Sequence, residues 1–470
     1  MERAIENRLT ASGDNIIINE KAVNYNELFD LSVVKKIESE AEKFYFDSPF
    51  VNEIYRDFLL PYICIDKYLS SFDIEVIDVR RASESLKGIL LDYANDKNIR
   101  VFGKFNTFIF KSRYKLTVFC SFIFLFFKLI KIRKQSSLNT HSETVSFCRT
   151  PASYKKITKI INENVLYETT PGVGDVYKQV SKFELIKCLF NALPKGKQEI
   201  KKLKSFLTGN CYKKIYICSL SHYKKRIIHT FFYENVVEKI IENNNFKIFI
   251  TGNNLDRFAV IEEKLAKKYS MKLVCIPHGI EYGYRFPKCF IGDEFYATSE
   301  YAAQWLNRLY HTKKFLYNPE IVKNMFKVDY KSNQDAKVVF FSEPREPEVS
   351  IGIIDQIAQL LSVENIKLYV KLHPKDDKNL YNKVIDCNGI EIISDINLAL
   401  CGNICIARKS TTLIEALSNG SKAYAIVTNE KDRCIYETFP SLHNPEIKYF
   451  EDVALMVKDI LKNFKPFKNV

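Results

Sequence analysis

The sequence lacks the patterns by which metal proteins are usually recognised. Its 12 cysteines include no C-x-x-C pair, and the closest two, Cys401 and Cys405, have no histidine beside them. A structural zinc site needs several Cys or His ligands at short spacings. Isolated cysteines are usually small buried side chains, and free thiols are typical of a reducing compartment. We therefore expect a cytoplasmic protein with no metal site.

Two motifs of phosphate chemistry are also missing. The chain contains no G-x-G-x-x-G, which excludes the usual dinucleotide-binding fingerprint. It contains no Asp-x-Asp either, so a pair of carboxylates holding a metal ion on a pyrophosphate is not expected. Negative charge on a leaving group would then be stabilised by Lys, Arg and His side chains and by helix dipoles.

Long hydrophobic runs are absent as well. Residues 1–6 lack the apolar core of a signal peptide, so export is not expected. Residues 116–127 carry no charge, but this segment is shorter than the roughly 20 apolar residues that a helix needs to span a bilayer. The segment is either a buried core helix or an interfacial helix whose phenylalanines enter the membrane surface. The second is favoured by the basic residues on both sides of it, namely Lys111, Arg113, Lys115, Lys128, Lys131, Arg133 and Lys134.

The composition is that of a globular protein with an affinity for anions. A chain of 470 residues has room for two or three domains, and 46% hydrophobic with 27% charged residues permits large cores. The net charge of +14 favours nucleotides, nucleic acid or acidic lipid headgroups as partners. No helix-turn-helix, zinc-finger or RNP-like pattern is present, so we do not expect a nucleic-acid partner.

Short apolar runs alternate with helical patterns along most of the chain. This alternation predicts an α/β fold with parallel sheets and right-handed crossovers. The aperiodic segment 310–335 predicts a boundary between an N-terminal domain, 1–320, and a C-terminal domain, 330–470. The simplest architecture is two Rossmann-like domains facing each other across a cleft. The predicted strands are 15–18, 73–79, 98–102, 145–148, 165–167, 214–218, 246–250, 273–276, 294–297, 338–341, 368–370, 390–393, 404–407 and 423–426.

The most informative residues follow two predicted strands of the second domain. His373 comes directly after one strand, and a Ser-Thr-Thr run that opens an apolar helix follows another. Carboxyl ends of parallel strands form the ligand crevice of an open sheet. Hydroxyls, free backbone N–H groups and a helix dipole suit a phosphate, and His373 would donate to an anionic leaving group. The alternative is an ordinary loop and an ordinary N-cap. The predicted donor-binding residues are Ser342, Pro374, Lys375, Arg408, Ser410, Thr411, Thr412 and Glu415.

The first domain carries a second group of candidates. His278 ends the predicted strand 273–276 and is a further catalytic candidate. The polar and aromatic residues after it are of the type that grips sugars, and we expect Glu281, Tyr282 and Arg285 to bind the acceptor. Two acids near the end of strand 165–167, Glu168 and Asp175, are candidates for the general base that deprotonates an acceptor hydroxyl. Glu343 and Glu346 are rival sources of that base.

His373-Pro374 followed by Ser410-Thr411 resembles the bacterial sialyltransferases and polysialyltransferases. The resemblance covers roughly residues 145–430. It implies the two-domain GT-B fold, in which domain 1–320 would bind the acceptor and domain 330–470 the nucleotide-sugar donor. The His-Pro and Ser motifs would hold the phosphate of CMP-sialic acid. Residues 146–151 and 167–177 are similar to the first βαβ unit of those families, where an acid-acid-Gly motif supplies the base. This chain has Thr170-Pro171-Gly172 at that place.

Pro277-His278-Gly279 and the helix from Ser410 are also similar to other glycosyltransferases of capsule and surface-polysaccharide synthesis. The resemblance therefore implies a metal-independent enzyme without a cofactor, using a nucleotide-sugar donor, with CMP-sialic acid as first choice. The acceptor would be a glycan or a lipid-linked glycan at the anionic inner face of the cytoplasmic membrane. Two alternatives remain open: a CDP-glycerol-type glycerophosphotransferase of teichoic-acid-like polymer synthesis, and a non-catalytic scaffold in a polysaccharide assembly complex.

Overall fold

The computed structural model describes residues 8–28, 41–135, 138–139, 141–168, 174–277, 279, 281–288, 292–328, 336–344, 346–387 and 389–463. The chain divides into two compact units. The first comprises Met1–His278 and Tyr284–Phe295, and the second comprises Gly279–Gly283 and Tyr296–Val470. The division therefore falls earlier in the chain than the predicted boundary in segment 310–335.

The first unit begins with a five-stranded mixed sheet in the order β3-β2-β1-β4-β5. Its first three strands form an antiparallel meander, and β1, β4 and β5 pair in parallel. The strands are β1 Arg8–Gly13, β2 Asn15–Ile18, β3 Lys21–Asn24, β4 Val76–Ala82 and β5 Arg100–Phe102. The accompanying helices are α1 Val51–Ile54, a π-helical turn Tyr55–Leu59, α2 Leu60–Leu69 and α3 Glu84–Asp96.

The second sheet has six strands in the order β11-β10-β9-β8-β6-β7. The pairings from β7 to β10 are all parallel. The strands are β6 Thr144–Cys148, β7 Val165–Tyr167, β8 Ile248–Thr251, β9 Lys272–Cys275, β10 Glu294–Tyr296 and β11 Phe315–Leu316. The helices of this part are α4 Thr107–Lys131, α5 Pro151–Ile157, α6 Asp175–Lys178, α7 Lys182–Gly209, α8 Lys213–Tyr223, α9 Ile227–Glu242 and α10 Arg257–Lys268.

The third sheet belongs to the second unit and is parallel throughout, in the order β14-β13-β12-β15-β16-β17. In chain order this is the 3-2-1-4-5-6 arrangement of doubly wound sheets. Its strands are β12 Val338–Phe341, β13 Leu368–Lys371, β14 Glu391–Ile392, β15 Ile404–Ala407, β16 Lys422–Ile426 and β17 Ile447–Phe450. The helices are α11 Glu300–Leu309, α12 Pro319–Phe326, α13 Pro347–Ser362, α14 Lys378–Cys387, α15 Ile396–Leu400, α16 Thr412–Ser418, α17 Glu430–Glu437 and α18 Val453–Asn463.

The predicted α/β class with two Rossmann-like sheets is confirmed, but the strand predicted at 214–218 is wrong. That segment lies in α8, whose first turn is capped by a carboxylate from α3. Asp92 accepts hydrogen bonds from the backbone N–H groups of Lys214 and Ile215, at 2.8–3.0 Å. The run from Ile215 to Leu220 is buried on every side. An alternating apolar pattern therefore did not distinguish a strand from a fully buried helix.

The uncharged segment 116–127 lies within α4, and four of its nine large apolar side chains are exposed. Leu116, Phe119 and Phe127 are 63%, 62% and 61% exposed. Only Leu125 and Leu129 of the helix are buried. The helix is therefore not buried on all sides, and its interfacial interpretation stays a prediction. None of the helices in the described ranges is long and apolar enough to cross a membrane.

Candidate functional site

Polar loops meet at the carboxyl edge of the third sheet. The strand order reverses between β12 and β15, which are adjacent and parallel, so the crevice of the sheet lies where these two strands end. Residues 342–346 follow β12, and residues 408–411 follow β15. The loop with His373 follows β13, the neighbour of β12. The fold thus brings the two predicted motifs to one edge of one sheet.

His373 is held by a short polar turn. Its Nδ1 accepts a hydrogen bond from the backbone N–H of Lys375 at 3.1 Å. Its own backbone N–H donates to Ser342 Oγ and to Asp376 Oδ2, both at 2.9 Å. The Ser342 hydroxyl in turn donates to Asp376. Because Nδ1 is an acceptor, the proton of the neutral imidazole lies on Nε2, which is then a hydrogen-bond donor.

The Ser-Thr-Thr run forms the entry to α16. Ser410 Oγ lies 2.8 Å from Thr412 Oγ1 and accepts the backbone N–H of Thr412 at 3.3 Å. The N-cap residue, Thr411, makes no capping bond with its side chain. Within the described ranges, the backbone N–H groups of Ser410 and Thr411 donate to no other group. The turn therefore combines hydroxyls with two open backbone donors, which suits an anion.

The sequence predicted that Arg408 would offer a positive charge to a ligand at this edge. In the structure its charge is not open. Its side chain is 0% exposed and forms a two-pronged pair with Asp432, Nε to Oδ2 at 2.6 Å and Nη2 to Oδ1 at 2.8 Å. A further bond joins Nη2 to Glu346 at 2.9 Å. Burial opposes the charge of Asp432, but hydrogen bonds from Arg408 and Lys409 outweigh it and hold the pKa of Asp432 below its usual range. Arg408 thus supports the loop and is closed to direct contact with a ligand.

Lys409 is also paired. Its backbone N–H donates to Glu343 Oε1 at 2.8 Å, and its ammonium lies 3.3 Å from Glu343 Oε2 and contacts Asp432. Glu343 follows β12 and Lys409 follows β15, so the pair joins the two loops at the strand reversal.

The predicted donor residues differ in their exposure. Pro374 and Lys375 are exposed, and Ser410, Thr411, Thr412 and Glu415 are half-buried. Asp432 was missed because nothing near it in sequence marks it. Asp376 was missed although it lies three residues after His373, because its role depends on the bond to Ser342 from another loop.

The predicted acceptor residues are divided between the two units. In the second unit Glu281 is buried and accepts hydrogen bonds from the Thr298 hydroxyl at 3.0 Å and the Ser441 hydroxyl at 2.6 Å. Burial raises the pKa of Glu281. Tyr282 packs against Phe439, with ring centroids 5.8 Å apart. Arg285 belongs to the first unit and forms an ion pair there. His278 lies outside the described residues.

Glu168 is the centre of a buried cluster at the end of β7. It is 1% exposed, and its oxygens lie 2.8 Å from Arg149 Nε and 2.5 Å from both His229 Nε2 and Tyr177 Oη. Burial opposes ionisation, but His229, Arg149 and Tyr177 together lower the pKa of Glu168 to about 2. Asp175, the first residue of α6, keeps 46% of its side chain exposed beside Lys178. No sequence motif identified His229, which lies in the apolar helix α9.

A cavity of about 330 Å³ lies in the first unit, among α7, α9 and α10. Lysines line it, but each is paired with a carboxylate. Lys195 and Lys264 contact Glu234 at 3.1 and 2.8 Å, and Lys267 and Lys288 contact Glu263, each at 3.0 Å. Because these lysines are already paired with carboxylates, we interpret the cavity as a space between ion pairs and not as an anion-binding site. The described part of the chain holds no group of three or more His, Cys, Asp or Glu side chains that could bind a metal.

No protein-family model and no curated protein sequence matches the chain. Solved structures are similar to it only weakly. E. coli heptosyltransferase WaaC with ADP is 9% identical, with 68% of this chain and 99% of that chain covered and a TM-score of 0.36. UDP-N-acetylglucosamine 2-epimerase from Rickettsia bellii is 13% identical, with 68% and 96% covered and a TM-score of 0.34. The glycosyltransferase SnogD from Streptomyces nogalater is 11% identical, with 69% and 96% covered and a TM-score of 0.32.

Proposed function

We propose that the protein is a glycosyltransferase that binds a nucleotide-sugar at the carboxyl edge of the third sheet. One observation carries the proposal: His373 follows β13 and Ser410–Thr412 follow β15, the two strands on either side of β12 at the strand reversal of a doubly wound sheet. Ligands of such sheets bind at that place. The donors found there, an imidazole Nε2–H, hydroxyls and two open backbone N–H groups, match the oxygen atoms of a phosphate.

In the proposed reaction an acceptor hydroxyl attacks the anomeric carbon of the donor sugar. The bond from that carbon to the phosphate oxygen breaks as the glycosidic bond forms, and the nucleotide leaves with the bonding electrons. His373 Nε2 and the turn at Ser410 stabilise the negative charge that develops on the phosphate. The hydroxyl proton passes to a carboxylate. Glu168 and Asp175 remain the candidates for it, and Asp175 is the one open to solvent.

The identity of the donor rests on the resemblance of the His-Pro and Ser-Thr motifs to the bacterial sialyltransferases. We propose CMP-sialic acid as the donor and a surface glycan, of capsule or lipooligosaccharide, as the acceptor. The two units would then correspond to the domains of a GT-B enzyme. Such acceptors are built on lipid carriers, so the enzyme would work at the cytoplasmic face of the membrane. The exposed apolar side chains of α4 support that location.

Thermal unfolding with CMP-, UDP-, GDP- and CDP-linked compounds tests the proposal. A ligand at 100 times its Kd stabilises the folded protein by about 2.7 kcal/mol. We expect CMP-sialic acid to raise the melting temperature most, and His373→Ala to reduce that shift. His141→Ala is the control, because His141 is exposed and lies in the first unit. Stabilisation by CDP-glycerol alone would favour the glycerophosphotransferase. If every compound failed, the scaffold alternative would replace the enzyme.

A further inference from the structure

Exposed phenylalanines are concentrated on two helices of the first unit. Of the 17 large hydrophobic side chains that are exposed in the described ranges, nine lie on α4 and α7. They include every exposed phenylalanine of those ranges. Scattered exposed hydrophobics need no explanation, but a contiguous group marks an interaction surface. The nine are Phe108, Ile109, Leu116, Phe119, Phe124, Phe127, Ile130, Phe183 and Phe190.

The two helices form one surface. Phe122 of α4 and Phe190 of α7 meet edge to face, with ring centroids 5.2 Å apart. Lys182, at the start of α7, donates a hydrogen bond to the backbone carbonyl of Ile130, near the end of α4, at 2.8 Å. Phe183 is 79% exposed beside that contact. Nothing in the sequence of α7 predicted its part in this surface, because its phenylalanines are isolated among lysines.

The exposed side chains of α4 follow one helical face. Leu116, Phe119, Phe127 and Ile130 recur at spacings of three, eight and three residues, which keeps them on the same side of a helix. Leu125, on the other side, is buried against the unit. The helix therefore has two apolar faces, one packed on the protein and one open. We call the open face, together with Phe183 and Phe190, the two-helix face.

The charge along the α4 part of the two-helix face has one sign, whereas α7 also carries Glu184 next to Phe183. Residues 97–142, which include α4, contain ten Lys or Arg residues and no Asp or Glu. The ammonium of Lys128 lies 4.3 Å from the centre of the Phe124 ring, so charged heads and aromatic rings are neighbours. Phenylalanines among basic residues are the composition of helices that lie in the plane of an anionic membrane surface.

We propose that the two-helix face binds the surface of an anionic phospholipid bilayer, with α4 lying in the plane of the membrane and its phenylalanines in the interface. This inference deepens the location given under the proposed function and does not depend on the donor site. A second copy of the chain is a poorer occupant, because a two-fold contact would bring the basic segments 97–142 of both copies together. A spanning arrangement is excluded for α4 by its charged residues and limited apolar length.

Co-sedimentation of the full-length protein with vesicles tests the inference. We expect strong binding to phosphatidylcholine vesicles that contain phosphatidylglycerol, weak binding to phosphatidylcholine alone, and partial release by high salt. Phe119→Ser with Phe127→Ser, and separately Phe183→Ser with Phe190→Ser, should each weaken binding at least tenfold. Val363→Ser with Leu455→Ser is the matched control, because both side chains are exposed on other helix ends of the second unit and should leave binding unchanged.

Three readouts keep the outcomes distinct. The Phe119→Ser, Phe127→Ser variant should keep the melting temperature of the wild type, because both rings are exposed. The Phe183→Ser, Phe190→Ser variant loses the ring contact with Phe122 and should melt slightly lower. Both variants should keep the nucleotide-induced shift of the wild type. If the wild type binds the vesicles but shows no nucleotide-induced shift in melting temperature, the result counts against the donor site alone. The lipid inference is overturned if the wild type does not bind phosphatidylglycerol vesicles, if the control variant weakens binding equally, or if the serine variants only convert a dimer to a monomer in sedimentation equilibrium.

Discussion

The imidazole of His373 accepts a hydrogen bond at Nδ1 from the backbone N–H of Lys375, at 3.1 Å. This contact is possible only for a ring without a proton on Nδ1. It therefore fixes the tautomer that donates from Nε2, which is the form that a phosphate oxygen requires. The turn that makes the contact is closed by Ser342 and Asp376, from two different loops of the third sheet.

Ser342→Ala should lower the turnover of the proposed reaction. The hydroxyl accepts the backbone N–H of His373 and donates to Asp376, so its removal loosens the turn. A net loss of about 0.5–1.5 kcal/mol per hydrogen bond corresponds to a two- to tenfold lower kcat/KM. Steady-state kinetics would measure it. Ser362→Ala is the control, because that hydroxyl only bonds the carbonyl of Gln359 at the end of α13. Equal effects of both substitutions would contradict the positioning role.

Asp432→Asn should destabilise the second unit strongly. The carboxylate is fully buried between Arg408 and Lys409, and its neutralisation leaves buried charge uncompensated. Breaking a buried pair in this way costs about 3–5 kcal/mol. Urea unfolding would measure the loss. Glu430→Gln, in the same helix but with a side chain 73% exposed, should change stability by less than about 1 kcal/mol. A small effect of Asp432→Asn would show that the network is dispensable.

The stability of the first unit should depend on the protonation of Glu262. Burial raises the pKa of this carboxyl from 4.5 to about 8, although Thr251, Tyr233 and Asn253 donate hydrogen bonds to it. Between these two pH values the folded protein keeps a proton that the unfolded chain releases, so the free energy of unfolding falls as the pH rises. Glu262→Gln removes this dependence. Relative to wild type, the variant should gain stability between pH 5 and pH 8.

Urea midpoints at pH 5, 6.5 and 8 would measure that gain. Glu391→Gln is the control, because its side chain is 54% exposed at a strand of the second unit. Glu199, whose pKa is raised to about 7 by burial, adds a slope of the same sign in both proteins. Parallel curves for wild type and Glu262→Gln would mean that Glu262 is ionised throughout this range.

Glu168 and Asp175 can be separated by their different surroundings. Glu168→Gln should lower the melting temperature, because Arg149 and His229 lose the buried charge that they pair with. Asp175→Asn should leave the melting temperature unchanged, because the ion pair of Asp175 with Lys178 is solvent-exposed. If Asp175 is the base, the same substitution should reduce kcat by at least a hundredfold. Normal turnover in Asp175→Asn would exclude it.

The sequence predicted best the strands that are buried along their whole length. Strands 338–341 and 404–407 were predicted with their observed bounds, because short apolar runs between polar turns are typical of buried parallel strands. The hairpin around β2 was predicted only in part, and 214–218 was assigned to the wrong class. These segments depend on contacts with elements far away in sequence, such as the Asp92 cap of α8.

In the candidate site, too, the contacts between residues far apart in sequence could not be predicted. The sequence placed the His-Pro and Ser-Thr motifs at strand ends, and the structure has them at one edge of the third sheet. It did not reveal that Arg408 is buried, because its partner Asp432 lies on another helix, α17. Nor did it reveal that Glu168 is enclosed, because Tyr177 and His229 come from α6 and α9. A charged residue near a motif is a candidate ligand-binding residue, but the packing around its side chain decides whether a ligand can reach it.

We propose that His373 stabilises the departing phosphate of a nucleotide-sugar. The direct measurement is sugar transfer from CMP-sialic acid, or from the donor that the thermal screen selects, by wild type, His373→Ala and His141→Ala at equal folded concentration. We predict that His373→Ala loses transfer by at least a hundredfold while keeping its unfolding midpoint, and that His141→Ala transfers normally. Near-normal turnover of His373→Ala with the true donor would contradict the assignment of the whole site.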